Sequence, residues 1–191
     1  MPTIARPNAV TLAATAFMLI AAGLVASASS SLAIHVTTAI LLALALILDT
    51  ADGHLARLQG TASAFGRWLD AVLDELADML LHAAIAWSLF VRSGSAGWLV
   101  AGMIYAIGKY LFVIAQQEGR DTKGEAASSV SLERPSLLAR CVRIVGHADV
   151  RWHLWIGLAA IGRLEIALIA YAAYFPIRTL AIAAKKAVHR A

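Results

Sequence analysis

Residues 48 to 78 read LDTADGHLARLQGTASAFGRWLDAVLDELAD, a stretch with five aspartates and a glutamate inside an otherwise oily chain. The 191 residues are 60% hydrophobic and only 15% charged, far from the balance of a soluble domain. About 20 apolar residues cross a bilayer as a helix, because each residue rises ~1.5 Å through a hydrocarbon core ~30 Å thick. Hydrophobic runs at 9–29, 33–53, 69–91, 96–116, 150–162 and 164–184 therefore predict six transmembrane helices. Lipid-facing backbone must satisfy its own hydrogen bonds, and Ala- and Leu-rich runs do so as helices. The predicted fold class is all-α, a polytopic membrane protein formed as one domain over 1–191.

The spacing of the acids gives them a purpose. On the second helix Asp49, Asp52, Gly53, Ala56 and Arg57 share one face, acidic first, then small, then basic. On the third, Gly66, Asp70, Asp74 and Asp78 recur every four residues, again on one face. A connection of roughly twelve residues lets the two helices pack antiparallel, so that four or five carboxylates converge. Each unpaired aspartate at membrane depth costs about 2.5 to 3.5 kcal/mol. Arg57 and Arg67 are too few to offset them, and such close carboxylates repel unless a multivalent cation sits among them. Oxygen ligands suit Mg²⁺, Mn²⁺ or Ca²⁺, and four acids can hold a pair of ions. Paired ions of this kind serve phosphoryl transfer, and Arg57 is placed to clamp a phosphate. The layout reads as a metal-bound pyrophosphate site at a membrane surface.

Charge sets the expected orientation. Six crossings put Arg6, Arg57, Arg67, Arg120, Lys123, Arg134, Arg140, Arg143, Arg151, Lys185, Lys186 and Arg190 on one side, against Arg92 and Arg163 on the other. The positive-inside rule makes the first side cytoplasmic, with the acidic stretch opening toward it. The net charge of +4 is explained by this topology and needs no nucleic-acid partner. Within the 117–149 connection, SLLARCVRIV predicts an amphipathic helix in the headgroup region with Arg140 and Arg143 on one face. Those arginines either hold anionic lipid heads or line a pocket for an anionic substrate. The single cysteine, Cys141, excludes an internal disulfide. Ala26-Ser27-Ala28 imitates a leader cleavage site, yet the first run is long for such a leader and only Arg6 precedes it.

Taken together, Asp49-x2-Asp52-Gly53-x2-Ala56-Arg57-x8-Gly66-x3-Asp70-x3-Asp74 resembles, with every spacing intact, the signature of the CDP-alcohol phosphotransferases, also called CDP-alcohol phosphatidyltransferases. Pro7-Asn8-Ala9-Val10-Thr11 is similar to the family's amino-terminal Asn-x-x-Thr. The resemblance implies a six-helix membrane enzyme, commonly a homodimer, that moves a substituted phosphate from a CDP-alcohol to a second alcohol and releases CMP. It implies two divalent cations, Mg²⁺ or Mn²⁺, with Asp49, Asp52 and Asp70 as ligands and Asp74 as general base, itself able to touch a metal. Gly53, Ala56 and Gly66 would make room for the cytidine, and Arg57, with Asp49 alongside, would hold the CDP-alcohol. Asp78, one turn beyond the signature, would support the site or mark a helix end.

CDP-diacylglycerol is the expected donor, because a membrane-embedded site suits lipid tails, though a soluble CDP-alcohol with a lipid acceptor would use the same motif; glycerol phosphate, an inositol species, serine or another alcohol would serve as acceptor. Lys109 on the fourth helix and Arg178 on the sixth, with Arg140 and Arg143, are candidates to bind the acceptor. Members that take phosphorylated polyols carry arginines near the end of the fourth helix, whereas this chain has Ile114, Gln116 and Gln117. That departure weighs against a phosphorylated acceptor. His54 and His82 read as structural, and Trp68, Trp98, Trp152 and Trp155 as interfacial anchors. Two rivals share the acids: an aspartate-rich membrane prenyltransferase using Mg-diphosphate substrates, and a divalent-cation transporter. The first lacks the Gly-x2-Ala-Arg segment, and the second needs polar groups in the other leaflet.

Overall fold

A computed structural model describes residues 6–125 and 148–190. Among the described residues six helices follow one another: α1 Pro7–Ala26, α2 Leu32–Leu58, α3 Ala64–Ser93, α4 Gly97–Glu125, α5 Ala148–Ala160 and α6 Leu164–Arg190. Five of them, all but α5, are long and apolar enough to cross a membrane, and the protein is an integral membrane protein. α5 has 13 residues, about 20 Å at ~1.5 Å per residue, which falls short of a hydrocarbon core alone. The expected amphipathic helix with Arg140 and Arg143 lies outside the described residues.

Local chemistry sets the helix ends. Pro7 occupies the first turn of α1, where its missing N–H costs nothing. Ser63 caps α3 by accepting a hydrogen bond from the Gly66 N–H at 3.0 Å, and Gly94, at φ 69°, closes its other end. The connection expected over 54–68 shrinks to residues 59–63, because Leu55, Ala56, Arg57 and Leu58 continue α2 until Gly60 turns at φ 64°.

The acidic helices do not pack as expected. Among the described residues no Cα of α2 comes within 8 Å of a Cα of α3; α1 packs against both instead. The reason is size: Ala14, Ala21, Ala22, Ala39, Ala45 and Ala77 bury small faces that let α1 approach each neighbour closely. α2 and α3 thus face each other across a gap that only side chains reach.

The other half closes against this frame: α4 packs on α3 and α6, and α5 packs on α2 and α6. An added Cβ at Gly102 would meet Ala86 Cβ at 2.7 Å, and one at Gly108 would meet Pro176 Cδ at 2.6 Å, so both glycines permit close helix contact. Tyr105, Trp155, Tyr171 and Phe175 are fully buried at the centre. Trp155 is therefore a core residue and no interfacial anchor; its indole lies 5.1 Å from His82 in an edge-on contact.

Candidate metal and transfer site

Across the gap between α2 and α3, Asp49, Asp70 and Asp74 each offer a carboxylate oxygen within 4.8 Å of the others. Asp49 and Asp70 are half-buried and Asp74 is exposed. Asp70 Oδ1 is buried without a hydrogen-bond partner, a cost that a hard cation would remove. Three converging oxygen donors and an orphaned carboxylate oxygen fit a divalent ion.

Asp52 is held differently. Only 6% exposed, it accepts a hydrogen bond from the Thr11 hydroxyl of α1, so Asp52 is tied to the amino-terminal helix. Beside it opens a cleft of about 700 Å³ lined by Asn8, Thr11, Asp52, Gly53, Ala56, Arg57, Gly66, Arg67 and Asp70. That volume is ample for a nucleotide. The guanidinium of Arg57 folds back over Gly53, where an added Cβ would stand 3.4 Å from Arg57 Nη1. Gly53 thus makes room for the arginine itself. Gly66 turns toward Asn8, whose Oδ1 would lie 3.5 Å from an added Cβ.

On the other side of the aspartates lies a smaller cavity lined by Thr15, Asp49, Asp74, Glu75, Asp78, Lys109, Arg151 and Trp152. Asp49 and Asp74 face this cavity and Asp52 and Asp70 face the nucleotide-sized cleft, so the carboxylates form the wall between two spaces. Arg151 Nε is buried without a hydrogen-bond partner, and its guanidinium lies 5.6 Å from the Trp155 ring and 5.7 Å from the Phe175 ring. Lys109, 3% exposed, is ion-paired to both Glu75 and Asp78.

Asp78 is no helix-end charge. It sits in the middle of α3, 4% exposed, with the Tyr105 hydroxyl donating to Oδ1 at 2.8 Å and His82 Nδ1 3.0 Å from the same oxygen. His82 stacks on Tyr105 with ring centroids 3.7 Å apart. Of the residues expected to bind an acceptor, Lys109 reaches the smaller cavity with its charge already matched, and Arg178 lines neither space. Arg140 and Arg143 lie outside the described residues. Thr15, Glu75, Tyr105 and Arg151 were not singled out from sequence. One signal was present: His82 continues the four-residue series of Asp70, Asp74 and Asp78, and Tyr105 and Lys109 share a face of α4 four residues apart.

The described residues thus form a helical membrane protein with a wall of oxygen-donor carboxylates between two cavities. A profile of the CDP-alcohol phosphatidyltransferase family matches residues 4–132, and the chain belongs to that family. It is 32% identical over 99 residues to an archaetidylinositol phosphate synthase of Aeropyrum pernix, covering 50% of this chain and 51% of that protein. It is 29% identical over 153 residues to a phosphatidylinositol phosphate synthase of Corynebacterium glutamicum, covering 77% of this chain and 65% of the relative. A bifunctional IPC transferase and DIPP synthase of Aquifex aeolicus is 30% identical over 138 residues, 69% of this chain and 32% of that protein. The chain thus spans from about a third to about two thirds of the length of these relatives.

Proposed function

We propose that this chain transfers a substituted phosphate from a CDP-alcohol, CDP-diacylglycerol in the first instance, to an alcohol acceptor and releases CMP. The observation that carries this reading is the carboxylate wall: one set of aspartates is shared between a nucleotide-sized cleft and a second cavity. The cleft takes the CDP-alcohol, with Gly53, Ala56 and Gly66 leaving space near the backbone and Arg57 clamping the diphosphate. Asp49, Asp52, Asp70 and Asp74 would hold two divalent ions, Mg²⁺ or Mn²⁺. Bound there, the ions would neutralise phosphate charge and stabilise charge that develops during the displacement.

Asp74, facing the second cavity, takes the proton of the acceptor hydroxyl as its oxygen attacks the lipid-bearing phosphorus. The new P–O bond forms as the bond to the CMP phosphate oxygen breaks, in line with the attack. The whole chain, 1–191, acts as a single domain and as a homodimer, with the site open to the cytoplasm. Neither rival reading is favoured, because the space beside Asp52 follows the Gly-x2-Ala-Arg segment that diphosphate prenyl chemistry and cation transport do not need.

For the acceptor, the names of the relatives point to an inositol phosphate. Ile114 and Gln116 on α4 offer no positive charge, but Arg151 brings an unpartnered guanidinium nitrogen to the cavity that holds Asp74. Arg151 is thus our candidate for an acceptor phosphate, in place of Lys109 and Arg178. Purified protein with CDP-diacylglycerol and Mn²⁺ is expected to release CMP fastest with inositol phosphate, ahead of inositol, glycerol phosphate and serine. Faster release with inositol than with its phosphate would overturn the phosphorylated acceptor, and isoprenoid diphosphate consumption would favour the prenyl rival.

A further inference from the structure

Lys109 was expected to meet the acceptor, yet the buried groups around it point elsewhere. Its ammonium lies between Glu75 and Asp78, the two acids on the turn of α3 that follows Asp74. Asp78 is saturated: Lys109 engages Oδ2 while Tyr105 and His82 reach Oδ1. Glu75 is different, because it follows Asp74 directly, stays 36% exposed, lines the same cavity and is held by Lys109. Without that cation the cavity would have a mobile carboxylate beside a site that attracts divalent ions, and hard ions bind more tightly as ligand charge is added. Lys109 also comes from a different helix, so its ion pairs tie the α3 turn that carries Asp74 to α4.

We infer that Lys109 is a positioning residue that keeps Glu75 out of the metal-binding set, so that the ions at this wall meet only the signature aspartates and Asp74 keeps its place toward the acceptor. This rests on the proposed reading of the aspartates as a metal site, and it assigns Lys109 a role distinct from acceptor binding.

The test is equilibrium Mn²⁺ binding to the detergent-solubilised full chain with no CDP-alcohol present, read by electron paramagnetic resonance, alongside CMP release. Lys109→Met is expected to tighten Mn²⁺ binding by at least about tenfold, the scale of one added carboxylate on a hard ion, and to lower CMP release. Glu75→Gln/Lys109→Met is expected to return the Mn²⁺ curve to that of the wild type. Glu75→Gln alone, which keeps Lys109 paired with Asp78, is expected to leave the curve unchanged, and it guards against misfolding of the lysine variants. A weaker Mn²⁺ curve in Glu75→Gln would show Glu75 to be a native ligand and overturn the inference. So would an unchanged curve in Lys109→Met, or one that the double variant fails to reverse; a raised acceptor KM with an unchanged curve would return Lys109 to acceptor binding. No Mn²⁺ binding by the wild type would instead sink the metal site itself.

Discussion

Thr11 lies 41 residues before Asp52, and its hydroxyl reaches that buried carboxylate from another helix. A carboxylate this buried relies on each donor it has, and losing one costs about 1 to 3 kcal/mol. Thr11→Val, which keeps the shape and removes the hydroxyl, is therefore expected to lower thermal stability in detergent and raise the KM for CDP-diacylglycerol by at least about tenfold through a displaced Asp52. Kinetics and melting indistinguishable from the wild type would show that the bond contributes nothing. Helical spacing alone marked Asp49, Asp70 and Asp74 as partners, because residues on one face of one helix share a period. It could not pair Thr11 with Asp52 or Lys109 with Glu75 and Asp78, because those contacts join helices far apart in sequence. Nor could it separate Asp52, which looks like Asp49 in the pattern and is held by Thr11 in the fold.

At the scale of elements, apolar length was enough to find every described helix, and the ends moved where capping decides them. Ser63 with Gly66 starts α3 before the apolar run at 69–91, and Gly60 ends α2 after the run at 33–53, which shortens the loop between the acidic helices. The separation of α2 and α3 was not readable, since it follows from α1 lying on both rather than from any pattern in either. Glycine contacts carry similar weight in the second half. Gly108 allows α4 to rest on Pro176 of α6, the contact below Phe112 and Phe175, whose rings are 5.3 Å apart. Gly108→Val would push α4 from α6 at a cost of about 1 to 3 kcal/mol, the usual range for overpacking. A thermal melt in detergent should show the loss, and a melting temperature equal to that of the wild type would mean the helices separate freely.

For the whole molecule, α3 is long and apolar enough to cross the bilayer, and the expected topology puts the loop between α2 and α3 and the turn between α3 and α4 on opposite sides of it. In a Cys141→Ser background, an impermeant maleimide should label Ser95→Cys in intact cells and Thr61→Cys only after permeabilisation. The reverse pattern would put the aspartate site on the outer side. The family was readable because the signature lies in one continuous stretch of two helices. The acceptor was not, because the cavity beside Asp74 draws on α1, α2, α3, α4 and α5 at once. The most direct measurement is CMP release by the purified chain in CDP-diacylglycerol vesicles with Mn²⁺, with and without the acceptor, for the wild type and Asp74→Asn. Release should need both metal and acceptor, stop with chelator, and fall at least about 100-fold in Asp74→Asn, the scale of a lost general base. Near-normal release from Asp74→Asn, or release that persists in chelator, would contradict the account.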